Sequence, residues 1–212
     1  MLVAVLIAGA LILIAAAIQV AIPRIAADRI RARLTEGGGT AEIEISAFPA
    51  LRLLRNRGDR LVVRGRDLDI GLAGGGSESG PSGVAALDGF DDVDIELLDF
   101  RTGPFAIAAF VLARSGGESY AMATQGAITG TELVRLADGL IGGLPAAGVI
   151  GAVAGGLPLV GREVTISVQI ELISEGGRLR VGAGGGSIAG YPAGPIATAI
   201  AAAVARRLEI AP

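Results

Sequence analysis

Three carboxylates, Asp92, Asp94 and Glu96, alternate with Val93, Ile95 and Leu97, and Asp91 and Asp99 flank them. Such a set has two chemical uses: ligating a hard cation such as calcium, or dividing acid and base work in a hydrolysis. The alternation argues against both. It places the carboxylates on one face of a strand, where a straight backbone splays them apart, while a calcium loop curls its oxygens inward around a tight turn. A solvated face opposite an apolar one is the expectation. Gly182-Ala183-Gly184-Gly185-Gly186-Ser187 follows a strand pattern and precedes a helical one, the position of a phosphate loop. The chain has no Lys to complete such a loop, and its glycine spacing fits no dinucleotide fingerprint, so a flexible turn is expected. Arg52, Arg55, Arg57, Arg60, Arg64 and Arg66 place six cations in fifteen residues, partly offset by Asp59, Asp67 and Asp69. They form either a solvated face or a contact with anionic lipid headgroups.

The absent residue types narrow the chemistry further. Without His there is no imidazole acid–base pair, no Ser-His-Asp triad and little scope for transition-metal ligation. Without Cys there is no thiol nucleophile, thiolate site or disulfide. No cofactor and no metal are expected, and the chain reads as a non-enzyme. A net charge of −3 gives no nucleic-acid footprint. Hydrophobic residues make up 51% and aromatics only 3%, so the core is aliphatic.

The elements that must position these residues begin with an apolar run. Leu2 to Ile22 carries no charge, and Gln19 is its only strongly polar side chain. About 20 such residues span a hydrocarbon core of roughly 30 Å as a helix. Residues 1–23 therefore read as a membrane anchor. A cleaved signal peptide stands as the alternative, with Ala15-Ala16-Ala17 as its small-x-small site. The arginines Arg24, Arg29, Arg31 and Arg33 follow the run and none precedes it, which by the positive-inside tendency alone places the carboxyl side in the cytoplasm.

Residues 24–212 read as one α+β domain: a curved, mostly antiparallel sheet wrapped around amphipathic helices. Ile22, Ile25, Ala26, Ile30 and Leu34 recur at helical spacing, so the anchor continues as an amphipathic helix to about Leu34, where Gly37-Gly38-Gly39 stops it. Strands are expected at Ala41–Ile45, from Leu61 towards Ile70, at Asp92–Leu97, at Tyr120–Ile128 and at Val164–Leu172. The last turns through Glu175-Gly176-Gly177 into a partner, Arg178–Ala183. A short helical turn follows Phe48-Pro49, with Leu51 and Leu54 on one side. Short helices are expected over Pro104–Leu112, from Thr129 or Thr131 to about Ile141, and over Pro195–Leu208. Residues 74–83 form a flexible Gly/Ser loop. Gly139 to Gly161 is uncharged and holds eight glycines, which fits a core segment or a lipid-touching flap better than a second span.

The succession of an apolar anchor, the helix Ile25–Leu34, Ile43-Glu44-Ile45-Ser46-Ala47-Phe48-Pro49, Leu61-Val62-Val63, Val93-Asp94-Ile95-Glu96-Leu97 and Gly126-Ala127-Ile128-Thr129 resembles the LmeA-like phospholipid-binding proteins of actinobacteria. Their fold is related to tubular lipid-binding domains. The resemblance covers roughly Ile22 to Leu179; family members continue through further strands, whereas this sequence stops at Pro212. It implies an extracytoplasmic, cell-envelope location, membrane-anchored or secreted, with phospholipid or glycolipid as partner and no catalytic residues. The expected acyl-chain contacts are Ile30, Leu34, Ile43, Ile45, Phe48, Leu51, Leu54, Ile95, Leu97, Ile166, Val168, Ile170, Ile196 and Ile200. Arg52, Arg55 and Arg64 are the expected headgroup contacts. Each buried methylene contributes roughly 0.8 kcal/mol, so an apolar groove binds lipid without a catalyst. An anchored interaction module with a filled core is the alternative, and an enzyme using Asp92 and Asp94 on envelope glycolipid is a third reading.

Overall fold

The computed structural model describes residues 2–70, 87–129, 131, 163–175, 178–188 and 191–192. For residues 2–12, 14, 15, 175, 178–181, 188, 191 and 192 only the backbone is described. The expected helices over Thr131–Ile141 and Pro195–Leu208, the loop 74–83 and the segment Gly139–Gly161 lie outside the described residues, apart from Thr131, which is helical.

The chain opens with one helix, α1 (Leu2–Leu34), that runs through Pro23. Eight strands follow: β1 (Thr40–Ser46), β2 (Gly58–Arg66), β3 (Phe90–Thr102), β4 (Phe105–Ser115), β5 (Ser119–Thr129), β6 (Glu163–Glu175), β7 (Arg178–Ile188) and β8 (Tyr191–Pro192). A 3-10 segment, Ala50–Arg55, connects β1 to β2. The strands form one open sheet in chain order. Every pairing is antiparallel except β2 with β3, which is parallel. The α+β class and the mostly antiparallel sheet are thus as expected from the sequence, with eight strands in place of about six.

Alternation explains which face is buried. The register carries one apolar row across the sheet, Ile43–Val63–Ile95–Leu112–Met122–Ile170, and each of these side chains is buried. A neighbouring row contains Leu97, Phe110 and Val168, and Phe100 meets Phe110 edge-on at 6.4 Å between ring centroids. The polar residues between them fall on the opposite face.

Several local expectations need correction. Pro104–Leu112 is not helical: Phe105–Ser115 is strand β4, paired on both sides. A β-bulge between Ile107 and Ala109 separates the buried Ile107 from the buried Phe110 by three residues, and that spacing imitates a helical stripe. Strand β2 starts earlier than expected, at Gly58, and ends at Arg66, because Asp67 turns the chain in a left-handed conformation (φ 54°). The Gly182–Ser187 stretch is not a turn but part of β7, with Gly185, Gly186 and Ser187 paired to Gln169, Val168 and Ser167. On α1 the buried stripe is Ala27, Ile30 and Leu34, while Ile25 is exposed. The helix lies against β1 along one line, and two residues of helix rotate Ile25 by about 200° from Ala27.

Candidate functional site

Three regions of the described molecule carry organised polar or apolar chemistry. The first is the junction of α1 with the 3-10 segment. Gln19 donates from Nε2 to the Ala47 carbonyl at 2.7 Å and accepts at Oε1 from the Ala50 amide at 2.8 Å. One side chain thereby satisfies a carbonyl and an amide on either side of the Phe48-Pro49 peptide, which is cis. Pro23 has no amide hydrogen for the carbonyl four residues back, which is that of Gln19. The helix is thus pinned to the domain at the turn its proline weakens. The segment buries Ala50 and turns Phe48, Leu51 and Leu54 outward at 76%, 53% and 73% exposure. Leu13, Ile18, Val20 and Ile25 of α1 are also exposed. Among the described residues, every exposed large apolar side chain apart from Val111 lies on α1 or between Phe48 and Leu54.

Arginines interleave with these apolar groups. Arg52 donates to Asp59 at 2.7 Å, and Asp59 also accepts from the Phe48 amide at 2.7 Å, which ties the segment back to β2. Arg55 and Arg57 are exposed and have no charged partner among the described residues. Arg64 is placed differently from Arg52 and Arg55. It lies within the sheet, bridging Asp94 at 2.7 Å and Glu96 at 2.9 Å. Its hydrogen bond to Asp94 holds the guanidinium pKa above its ordinary value. Asp94 and Glu96 of β3 are therefore partners for Arg64 of β2, and among the described residues no group of three or more ligand-type side chains is placed to hold a metal ion.

The second region is an open groove of about 1500 Å³ on the polar face of the sheet. Its floor is small, with Ala113, Ala121, Ala123 and Ser167, and Arg60, Asp92 and Glu171 supply charge. Of the residues expected to contact lipid, only Ile170 borders it. The third region shares Arg114 with the lining of that groove. Tyr120, fully buried, donates to Asp88 Oδ1 at 2.8 Å and accepts from Arg114 Nη1 at 2.8 Å. Ser174 donates to the other carboxylate oxygen of Asp88, and Arg114 also bonds the Asp88 and Phe90 carbonyls. The Arg114 guanidinium lies 5.0 Å from the Tyr120 ring centroid. Burial first, and then the Asp88 carboxylate, push the Tyr120 hydroxyl well above its ordinary pKa. The network ties the segment before β3 to the ends of β4, β5 and β6, which makes it a staple of the sheet.

The expected lipid contacts therefore divide. Ile30, Leu34, Ile43, Ile45, Ile95, Leu97, Ile166, Val168 and Ile170 meet in one buried cluster. Phe48, Leu51 and Leu54 stand outside it on the surface, and Ile196 and Ile200 lie outside the described residues. Sequence reasoning missed the staple of Asp88, Arg114, Tyr120 and Ser174, because no local pattern links residues 86 positions apart. It noticed Gln19 only as an exception in an apolar run. Among the described residues no helix is long and apolar enough to cross a membrane. Compared with known proteins, the chain matches no family model, no curated protein and no solved structure.

Proposed function

We propose that this protein is held at a membrane by the first half of α1 and binds phospholipid or glycolipid acyl chains against the apolar face of its sheet. The observation that carries the reading is the division of α1. Its last turns are built into the domain core through Ala27, Ile30 and Leu34, while Leu13, Ile18 and Val20 meet no protein surface that covers them. The sequence before Pro23 is uncharged. Fully burying one Leu, Ile or Val contributes roughly 1.5–3 kcal/mol, and hydrocarbon is the medium that covers such a helix on all sides. Acyl chains would reach the domain from this end, because β1, with Ile43 and Ile45, ends at Ser46, two residues before the exposed Phe48. The resemblance to LmeA-like proteins adds an extracytoplasmic placement in the cell envelope and needs no catalyst.

A second reading has its own support: nine of the expected acyl contacts are already buried in one cluster, as in an anchored interaction module with a filled core. One experiment separates the two. The full chain is placed in vesicles with a phospholipid bearing a photoreactive group on its acyl chain, irradiated and mapped by peptide mass spectrometry. Acyl-chain binding yields adducts on β3 and β6 as well as on α1. Adducts confined to α1 and the 3-10 segment leave the filled-core module, and no adducts at all remove the membrane reading.

A further inference from the structure

We propose that the 3-10 segment is a second membrane-contacting element, a wedge that Gln19 holds at the lipid–water boundary so that Phe48, Leu51 and Leu54 enter an anionic bilayer. This rests on the reading of α1 as an anchor and adds a depth and a lipid preference to it.

The depth follows from helix geometry. At 1.5 Å per residue, about 20 residues cross a hydrocarbon core of roughly 30 Å. Arg24, the first charge after the uncharged run, marks the water side of the boundary. Gln19 lies five residues before it, about 7.5 Å along the helix on the membrane side, and the two hydrogen bonds from its side chain bring Ala47 and Ala50 to the same level. Its donor and acceptor are both occupied by the domain backbone, so the one polar residue of the run is satisfied by protein and not by water. A segment pinned at the boundary cannot keep Phe48, Leu51 and Leu54 in water. Together they expose more than half of each side chain, and hydrocarbon is the adjoining medium.

The lipid preference follows from charge. Arg55 and Arg57 flank Asn56 at the end of the segment, all three exposed. Arg52 is paired with Asp59, so Arg55 and Arg57 are the cations of the stretch Phe48–Arg57 left to face the headgroup layer. Basic residues close to an anionic membrane surface are attracted to it electrostatically. The alternation of apolar and basic groups from Phe48 to Arg57 matches an interface with acyl chains below and phosphates above. In this arrangement Gln19 is a positioning residue, and the wedge residues make the contact.

The chain contains no Trp, so a single introduced Trp is a clean reporter. The full chain carrying Phe48→Trp is reconstituted into vesicles of phosphatidylglycerol and phosphatidylcholine, or of phosphatidylcholine alone, containing brominated acyl chains. The expected result is blue-shifted emission and strong quenching, both greater with phosphatidylglycerol. Adding Arg55→Gln and Arg57→Gln should remove the dependence on phosphatidylglycerol. Adding Gln19→Leu, which preserves the apolar run, should return emission towards that of a Val111→Trp control on the opposite face of the sheet. If the protein floats with the vesicles but Phe48→Trp emits as in water and escapes quenching, the wedge is overturned while the anchor stands. If the protein does not float, the anchor and the wedge fall together. Equal quenching in the two vesicle types refutes the anionic preference.

Discussion

Replacing Gln19 by Leu tests the junction where helix and domain meet. The substitution keeps size, helix propensity and the apolar run, and removes one donor and one acceptor. Two hydrogen bonds are lost, at 2.7 and 2.8 Å, each contributing about 0.5–1.5 kcal/mol net. Ala50 is 1% exposed, so its amide loses its partner in a place water reaches poorly, which by itself costs about 1–3 kcal/mol. Because Gln19 is only part-buried, the lower end of the combined range applies, about 2 kcal/mol. That corresponds to roughly a thirtyfold shift in the local opening equilibrium of the 3-10 segment. The assay is amide hydrogen exchange on the full chain in lipid. Ala50 and its neighbours in the segment should exchange about thirtyfold faster, while amides of β3, β4 and β5 keep their rates. Unchanged protection at Ala50 would show that the amide is held by something other than Gln19. A uniform loss across the sheet would show that the side chain stabilises the whole fold and not this junction.

Removing the carboxylate of Asp88 should destabilise the sheet. Breaking a buried pair costs about 3–5 kcal/mol, but the Asp88 side chain is 30% exposed, so Asp88→Ala should cost about 2 kcal/mol. Thermal unfolding in mild detergent should show this as a drop of about 4–8 °C. Tyr120 supplies a pH test. Its raised pKa means that the folded chain keeps the phenol proton where an unfolded chain releases it, near pH 10. Its contribution to stability is therefore complete below pH 10 and falls as pH rises above it. In a Tyr191→Phe background, phenolate absorbance should appear only together with unfolding; a separate titration near pH 10 in the folded protein would refute the buried placement. Gly89→Ala should prevent normal folding of the β2–β3 connection, because its methyl group would sit 1.7 Å from the Asn56 carbonyl oxygen, and soluble yield with circular dichroism reads this. Arg64→Gln should change stability by less than about 1 kcal/mol in chemical denaturation, since its ion pairs with Asp94 and Glu96 are exposed.

The strands most legible in the sequence were those with clean alternation. Val164–Leu172 and Asp92–Leu97 carry a two-residue period, and β6 and β3 follow it. Legibility failed where the period was broken or silent. The bulge at Ile107–Ala109 converted a strand into an apparent helical stripe. The hairpin of β6 with Arg178–Ala183 was legible, but the glycines beyond Ala183 have no side chains to alternate, so the continuation of β7 to Ile188 was not. The parallel β2–β3 pairing also left no local mark, because residue spacing does not record strand direction.

The candidate site shows the same division. By itself the sequence determined an uncharged run of 21 residues, a scarcity of aromatic residues and the absence of imidazole and thiol chemistry. These follow from side-chain composition and hold in any fold. It also identified Phe48, Leu51 and Leu54 as apolar residues on one side of a turn, but a turn does not carry the information of which side meets protein. Only the tertiary structure decided that these three face outward while Ile43, Ile45, Ile95 and Leu97 close inward. It likewise turned the carboxylates of β3 into partners for Arg64 and the lone polar residue of the apolar run into a clamp. The physical reason is common to all of these. Burial and hydrogen-bond satisfaction depend on groups brought together across tens of residues, whereas the periodicity of a sequence reports only on neighbours along the chain.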